Sequence, residues 1–207
     1  MAFKKLHAHL LERLELFSIE TPTPLQKTSI PVIKSGANVY CTAPNGSGRT
    51  TTLILTTLNK LKCEAEGNAP RAIVLVENKE KALEMYSAFL AYAKYSSLRV
   101  YVGYQELHMD VQKSEIFEGI DVLISTPKTL HKLFLLNGVS TSQVMICSID
   151  DADFLIQKAE YTAMLAITQS IRKCQYVIYS ERLHPRLKRF EEYFMERARY
   201  IGVAAAE

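Results

Sequence analysis

Short apolar runs alternate with longer segments of helical periodicity along most of the chain. The apolar runs are bounded by polar, Gly or Pro residues and are too short for helices, so they predict β-strands. The predicted strands cover residues 38–41, 72–76, 98–103, 120–125, 144–149, 175–180 and 200–203. Apolar residues recur at helical spacing in the segments that predict helices, which cover residues 51–61, 80–95, 128–136, 161–171 and 185–197.

The connections between most of the predicted strands are long enough for crossover helices. Parallel strands need such connections, whereas antiparallel strands can be joined by tight turns. The alternation therefore predicts an α/β fold, with a mainly parallel sheet and helices on both faces. Polar clusters follow three of the strands, at residues 126–128, 150–153 and 180–182. Because ligands bind beyond the carboxyl ends of parallel strands, we expect these clusters to form one site with the loop at residues 43–50.

The segment from Ala43 to Thr50 has the layout of a phosphate-binding loop. Gly46 and Gly48 allow a tight turn in which several backbone N–H groups point at one anion, and the following helix adds its positive end. The Thr50 hydroxyl can hold Mg²⁺ at the β- and γ-phosphates of a nucleotide. An ordinary Gly/Ser turn is the alternative, but the strand before the loop and the helix after it favour nucleotide binding. The predicted nucleotide contacts are Ala43, Asn45, Gly46, Ser47, Gly48, Arg49, Thr50 and Thr51.

Three carboxylates follow the apolar run at residues 144–149. Asp150, at the end of the predicted strand, can hold Mg²⁺ opposite the Thr50 hydroxyl. Asp151 can orient and deprotonate an attacking water, and Asp153 can hold a basic or hydroxyl partner from a neighbouring strand. The alternative is that these acids cap the next helix, a role that aspartate fills well.

Composition adds bounds to this interpretation. The chain has 207 residues, of which 48% are hydrophobic, and we expect one domain over residues 1–203 followed by a tail at 204–207. No apolar run approaches the roughly 18 residues of a membrane span, and no secretion signal is recognisable. The cysteines lack metal-ligand spacing, which predicts thiols in a reducing cytoplasm, two of them in buried strands; they are Cys41, Cys63, Cys147 and Cys174. A net charge of +3 is too small to indicate nucleic-acid binding by itself.

The segment Thr-Pro-Thr-Pro-Leu-Gln at residues 21–26 precedes the phosphate loop. Its prolines make it rigid, and the Gln26 amide can donate to and accept from one edge of adenine. Taken alone, Gln26 is an ordinary surface residue. Together with the phosphate loop and the Asp-Asp-Ala-Asp segment at residues 150–153, however, it resembles the first RecA-like domain of DEAD-box ATP-dependent RNA helicases. Residues 1–31 are similar to the family's Q motif, with Phe3 at the place of its upstream aromatic residue.

The resemblance implies a role for each segment. It implies binding of ATP or ADP with Mg²⁺, metal binding by Thr50 and Asp150, and catalytic roles for Arg49, Asp150 and Asp151. It implies weak RNA binding through the backbone-contacting positions Lys79, Gly103, Thr126, Pro127 and Lys128. It also implies coupling of ATP hydrolysis to strand separation by Asp153, Ser180 and Arg182, and a second RecA-like lobe or a protein partner.

Positions in nearly every motif depart from the family, and three of the changes bear on hydrolysis and its coupling. Arg49 stands where the family has lysine, Asp151 where it has glutamate, and Arg182 where it has threonine. Arginine and lysine are not interchangeable at a tight phosphate site. The shorter Asp151 displaces the presumed base by about 1.5 Å, and such a displacement can cost about a hundredfold in rate.

We therefore expect the ATP-binding lobe of an RNA helicase with impaired activity. The alternative is a non-hydrolysing module that binds nucleotide, RNA or a protein partner. Family members use arginine fingers from a second lobe, so a chain of this length is either an excised lobe or a natural single lobe.

Overall fold

The structure, a computed structural model, describes residues 3–203 of the chain. The predicted tail and the first two residues of the Q-motif-like segment lie outside this range. The helices are α1 Ala8–Leu16, α2 Pro24–Lys34, α3 Arg49–Lys60, α4 Lys79–Ala93, α5 Met109–Glu118, α6 Pro127–Leu135, α7 Lys158–Ser170 and α8 Pro185–Lys188. The strands are β1 Val39–Thr42, β2 Ala72–Leu75, β3 Val100–Gly103, β4 Val122–Ser125, β5 Ile146–Ile149, β6 Gln175–Ser180 and β7 Arg199–Gly202. Short 3₁₀ helices cover Phe3–Lys5, Ala152–Ile156 and Arg189–Glu192.

The seven strands of the described chain form one sheet in which every pairing is parallel. Their order is β3-β4-β2-β5-β6-β1-β7. Strands β2, β4, β5 and β6 are buried at every residue, whereas the edge strands β3 and β7 are partly exposed. The predicted α/β fold with a parallel sheet is confirmed.

Helices cover both faces of the sheet. Alternate residues of a strand point to opposite faces, so Val122 and Ile124 of β4 join one hydrophobic core while Leu123 joins the other. Helices α1 to α4 contribute Leu10, Leu25, Leu53 and Phe89 to the first core. Helices α5 to α8 contribute Ile116, Leu130, Met164 and Leu187 to the second.

Two cysteines lie in the sheet, as predicted. Cys41 of β1 and Cys147 of β5 are fully buried. Burial raises the pKa of both thiols, so they remain protonated near neutral pH. Across residues 3–203, none of the helices has the length and apolar character to cross a membrane.

The predicted helix at residues 185–197 is wrong in its extent. Helix α8 ends at Lys188 and continues only as a 3₁₀ helix to Glu192. The N–H groups of Tyr193, Phe194 and Met195 all donate to the Phe190 carbonyl, which closes a tight turn. A continuous helix would rotate Met195 away from the core, whereas the turn buries it fully.

Helices α1, α2 and α5 have no counterpart among the predicted helices. For α5, the reason is the placement of its apolar residues. Its only buried residues are Gln112 and Ile116, while Val111 and Phe117 are exposed. The apolar positions therefore do not form one stripe, and periodicity does not reveal the helix.

A buried ion network joins the amino ends of three neighbouring strands. Asp121 precedes β4 and is fully buried. Its carboxylate accepts hydrogen bonds from Arg71 Nη2 at 2.8 Å and from Arg99 Nε at 2.9 Å. It also accepts from the backbone N–H groups of Glu66 and Arg99, both at 3.0 Å. Because Arg71 and Arg99 precede β2 and β3, one carboxylate holds three adjacent strands at the edge opposite the phosphate loop.

Replacing Asp121 with Asn should lower the free energy of unfolding by about 3–5 kcal/mol, because it leaves the buried Arg71 without its buried counter-charge. Burial raises the pKa of Asp121, but the hydrogen bonds from Arg99, Glu66 and Arg71 outweigh it and hold the pKa below its usual 3.8. The stabilisation is therefore complete above the unfolded pKa and disappears as pH falls through the lower folded pKa. Urea unfolding of wild type and of the Asp121→Asn variant, at pH values above and below 3.8, would measure this stabilisation.

Glu66→Gln is the matched control, since Glu66 also pairs with Arg71 but its side chain is 78% exposed. In this variant the free energy of unfolding should fall by less than about 1 kcal/mol. Equal losses in the two variants would contradict a structural role for the buried network.

Candidate functional site

The segment after β1 forms a loop of the predicted phosphate-binding kind. Gly46 and Gly48 have φ values of 78° and 89°, in the left-handed region that favours glycine. Gly48 caps α3, which begins at Arg49. The first N–H groups of a helix have no carbonyl partner within it, so the start of α3 offers donors to an anion at the loop.

The Q-motif-like segment is fastened to this loop. Thr23 Oγ1 donates to the Ser47 carbonyl at 2.8 Å. Gln26 is almost fully buried, and its Oε1 accepts a hydrogen bond from the Thr23 N–H at 2.9 Å. Its Nε2 lies so close to Gly48 that a Cβ at residue 48 would approach it to 2.8 Å. Gln26 therefore packs against the loop at Gly48, and its side chain also helps to cap α2.

This supporting role has a signal in the sequence. Thr23 and Gln26 stand three residues apart before an apolar run, the signature of a capping box. The structure forms both of its hydrogen bonds at the start of α2, with Pro24 in the first turn.

Phe3 lies beside residues 21–31 of the Q-motif-like segment, as the resemblance implies. Its ring borders a hollow of about 810 Å³ that is also lined by Thr21, Pro22, Ile30 and Pro31. The hollow is rimmed by Lys4, Lys5, Lys27 and Lys34, with one acid, Glu20. The four lysines were not among the predicted site residues. They become neighbours only when α2 packs beside the N-terminal 3₁₀ helix.

Asp150 and Thr50 meet across the sheet edge, as predicted. Thr50 Oγ1 donates to the Asp150 carboxylate at 3.3 Å. Asp150 is 8% exposed. Burial, followed by repulsion from Asp151, raises its pKa to about 6, while Arg49 and Thr50 partly offset the shift. Two oxygen ligands of the kind that Mg²⁺ prefers are thus in contact.

Arg49 and Asp151 form an ion pair. Arg49 Nη2 lies 2.6 Å from Asp151 Oδ1 and 2.5 Å from Asn45 Oδ1. The Arg49 side chain is 6% exposed, whereas that of Asp151 is 47% exposed. Arg49 Nη1 is buried and has no hydrogen-bond partner within residues 3–203. Two of the three residues to which the resemblance assigns catalytic roles are therefore bound to each other.

The residues expected to couple hydrolysis to strand separation are only partly brought together. The Glu181 N–H donates to Asp153 Oδ2 at 3.4 Å, and the Ala43 N–H donates to the Ser180 carbonyl at 3.2 Å. Arg182 is exposed. Asp151 precedes the 3₁₀ helix without capping it through its side chain, so helix capping does not explain this acid.

The strand-end clusters form two groups rather than the single site expected from the sequence. Strand β6 brings residues 180–182 between the phosphate loop and Asp150, but β4 is separated from β6 by β5 and β2. Thr126 and Lys128, which follow β4, line a separate hollow of about 240 Å³ together with Lys79. Gly103 and Pro127 are buried.

The second hollow is lined by two lysines and four glutamates, so negative charge exceeds positive charge in it. Lys79 Nζ lies 3.7 Å from Glu106 and 5.0 Å from the centre of the Tyr104 ring. Lys128 Nζ lies 2.6 Å from Glu160. Glu77 and Glu80 also line this hollow. Both lysines predicted to contact RNA therefore already have carboxylate partners.

Replacing Asp150 with Asn should stabilise the ligand-free protein at pH 8 by about 2–3 kcal/mol. The pKa of Asp150 rises from its usual 3.8 to about 6 in the fold, so ionisation opposes folding above that pH. Below about pH 4 the carboxyl is protonated in both states, and the difference should vanish. Urea unfolding without divalent cations at both pH values measures it, with exposed Asp153→Asn as the control. A gain that persists unchanged at low pH would contradict ionisation of Asp150 as its cause.

Sequence relatives of the chain include ATP-dependent RNA helicases. The sequence model of the DEAD/DEAH box helicase family matches residues 23–182. The chain is 29% identical over 185 residues to the probable ATP-dependent RNA helicase ddx42 of Dictyostelium discoideum. These residues are 87% of the chain and 19% of that protein. It is 28% identical over 153 residues to the ATP-dependent RNA helicase RhlB of Shewanella denitrificans, which covers 72% of the chain and 35% of that protein.

Solved structures agree in fold. A DEAD box protein from the hyperthermophile Methanococcus jannaschii has a TM-score of 0.88 at 17% identity, over 97% of this chain and 55% of its own. Dbp5 of S. cerevisiae, bound to RNA and ADP BeF3, has a TM-score of 0.85 at 18% identity, over 96% and 50%. The chain thus spans 19% and 35% of these two relatives and about half of the two structures. It belongs to the DEAD/DEAH box helicase family, and its fold is the family's RecA-like domain.

Proposed function

We propose that the chain is the nucleotide-binding lobe of an ATP-dependent RNA helicase, that it holds an adenine nucleotide with Mg²⁺, and that it hydrolyses ATP poorly. The observation that carries the proposal is the contact between Thr50 and Asp150. It lies beside a loop that turns at two glycines and leads into the start of α3. A loop that only joined a strand to a helix would not need a buried carboxylate opposite it.

The residues present fit a phosphate group with its metal ion. The left-handed Gly46 and Gly48, the free N–H groups of α3 and the unpartnered Arg49 Nη1 supply donors for phosphate oxygens. The Ser47 hydroxyl is also buried without a partner in the described chain. Thr50 and Asp150 would hold Mg²⁺, which neutralises phosphate charge when bound.

The hollow beside Phe3 fits the base. An aromatic ring and two prolines provide flat apolar surface, and Gln26 Nε2 is a donor close to the loop. A volume of about 810 Å³ falls within the usual range of ligand pockets. The lysine rim adds positive potential toward an anionic ligand.

Slow hydrolysis follows from the ion pair. A general base must be free to accept a proton from water, and the Asp151 carboxylate is instead bound to Arg49 at 2.6 Å. The family's arginine fingers come from a second lobe and contribute about 10³–10⁵ in rate. We propose that this lobe acts with such a partner.

Thr50→Val should weaken binding of Mg²⁺–ADP by about tenfold, because a ligand of the metal is lost. Metal-free ADP should bind within about twofold of the wild-type affinity, since valine keeps the shape of the side chain. Thr57→Val is the control: Thr57 lies two turns further along α3, and its hydroxyl has no partner among the described residues. Titration with a fluorescent ADP analogue, with and without Mg²⁺, gives both affinities.

Equal affinity for GDP, or no saturable binding at millimolar ADP, would contradict the adenine site. The same samples, assayed for phosphate release from ATP with and without RNA, should stay well below ~1 s⁻¹, the lower end of phosphoryl-transfer rates.

RNA binding at the second hollow is weak in this proposal, because its two lysines are paired with glutamates. The double variant Glu106→Gln/Glu160→Gln should free both lysines. RNA affinity should then rise, and the slope of log affinity against log salt should steepen by about −0.7 for each freed cation. Fluorescence anisotropy with single-stranded RNA across salt concentrations measures both quantities.

Glu12→Gln/Glu15→Gln on α1 removes the same charge from exposed positions elsewhere, and it controls for net charge. A similar gain in the two double variants would mean that this hollow does not face RNA.

A further inference from the structure

The Arg49–Asp151 pair lies at the loop to which the proposed function assigns the nucleotide phosphates. We infer that Asp151 serves as a built-in anion for Arg49, and that this makes the site select nucleoside diphosphates over triphosphates. The inference rests on the proposed function, since it requires the loop to bind a nucleotide.

Arg49 stands at the position whose cation reaches the terminal phosphates in loops of this type. Here the Nη2 end of its guanidinium is held from two sides, by Asn45 Oδ1 at 2.5 Å and Asp151 Oδ1 at 2.6 Å. A guanidinium binds an anion best when two parallel N–H groups face it. Only Nη1 remains without a partner inside residues 3–203. A terminal phosphate could therefore bind only one of the two terminal nitrogens of Arg49 without displacing Asp151 or Asn45.

The two substitutions are complementary in length. Arginine extends further than the lysine usual at residue 49, and aspartate is one methylene shorter than the glutamate usual at residue 151. The longer cation meets the shorter acid across the loop at hydrogen-bond distance. Asp151 adopts a left-handed backbone with φ 45° and ψ 54°, which keeps its carboxylate beside the loop. The two residues that depart from the family thus share one contact.

A third phosphate meets a cost that a second phosphate does not. It must either displace Asp151 from Arg49 or lie beside a carboxylate of the same charge. The amide donors of the loop and the start of α3 are unaffected by the pair, and they suffice for a diphosphate. The site therefore favours the product side of a hydrolysis reaction over its substrate.

Asp151→Asn is the variant that tests this. Asparagine tolerates the left-handed backbone and keeps the size of the side chain, but it removes the negative charge that pairs with Arg49. Calorimetry with ADP and with a non-hydrolysable ATP analogue, both in EDTA, gives the ratio of affinities without a metal contribution. Wild-type protein should bind ADP more tightly than the ATP analogue. In the variant, affinity for the ATP analogue should rise about five- to tenfold, discounted for the half-exposed carboxylate, and that for ADP less than about twofold.

Two controls separate the contact from the general field. Glu181→Gln removes the same charge from an exposed position just after Ser180, whose carbonyl binds Ala43, and it should leave the ATP-to-ADP ratio unchanged. In an Arg49→Gln background, Asp151→Asn should also leave the ratio unchanged, because the partner is gone.

A ratio shift of equal size in Glu181→Gln, or one that persists without Arg49, would overturn the inference and assign the effect to net charge. ADP binding with an unaltered ratio in Asp151→Asn would overturn the inference but leave the proposed function standing. If neither wild type nor any folded variant binds ADP, both the inference and the proposed function are overturned.

Discussion

The parallel pairing of β1 with β6 and of β6 with β5 positions the phosphate loop and the carboxylates of the candidate nucleotide site. Thr42 at the end of β1 lies opposite Ser180 at the end of β6, and the next N–H, that of Ala43, donates to the Ser180 carbonyl. Ile149 of β5 pairs with Ile178 of β6, so Asp150 leaves the sheet at the same edge. Backbone hydrogen bonds therefore deliver the loop and the carboxylates to one place before any side chain takes part.

Charge pairing is the second feature that organises this edge. Arg49 is bound to Asp151, Lys79 to Glu106 and Lys128 to Glu160. The partners differ in burial: Arg49 is 6% exposed, whereas Lys128 is 61% exposed. A pair at an exposed position is screened by solvent and contributes little, while one at a buried position changes what the group can bind. In the proposed function, the Arg49 pair is therefore the one that affects ligand choice, and the lysine pairs chiefly reduce the attraction of phosphates.

Much of the fold could be predicted from local pattern. The strands of the sheet are short apolar runs, and their hydrophobicity is the same on both faces because helices cover both. The prediction was wrong where local pattern and packing disagree. Residues 185–197 have helical spacing, yet the need to bury both Phe190 and Met195 breaks the helix. Periodicity did not predict helix α5, because its exposed Val111 and Phe117 blur its apolar stripe.

The sequence by itself determined the loop, the acids and their order along the chain, since glycine conformation, helix starts and strand ends are local properties. It did not determine that Arg49 and Asp151 touch, because residues about a hundred positions apart meet only through the strand order of the sheet. The same holds for the acids around Lys79 and Lys128: Glu106 and Glu160 lie on separate segments that packing brings together. Tertiary structure thus decided which charges neutralise each other, because electrostatic pairing depends on distance in space and not on distance along the chain.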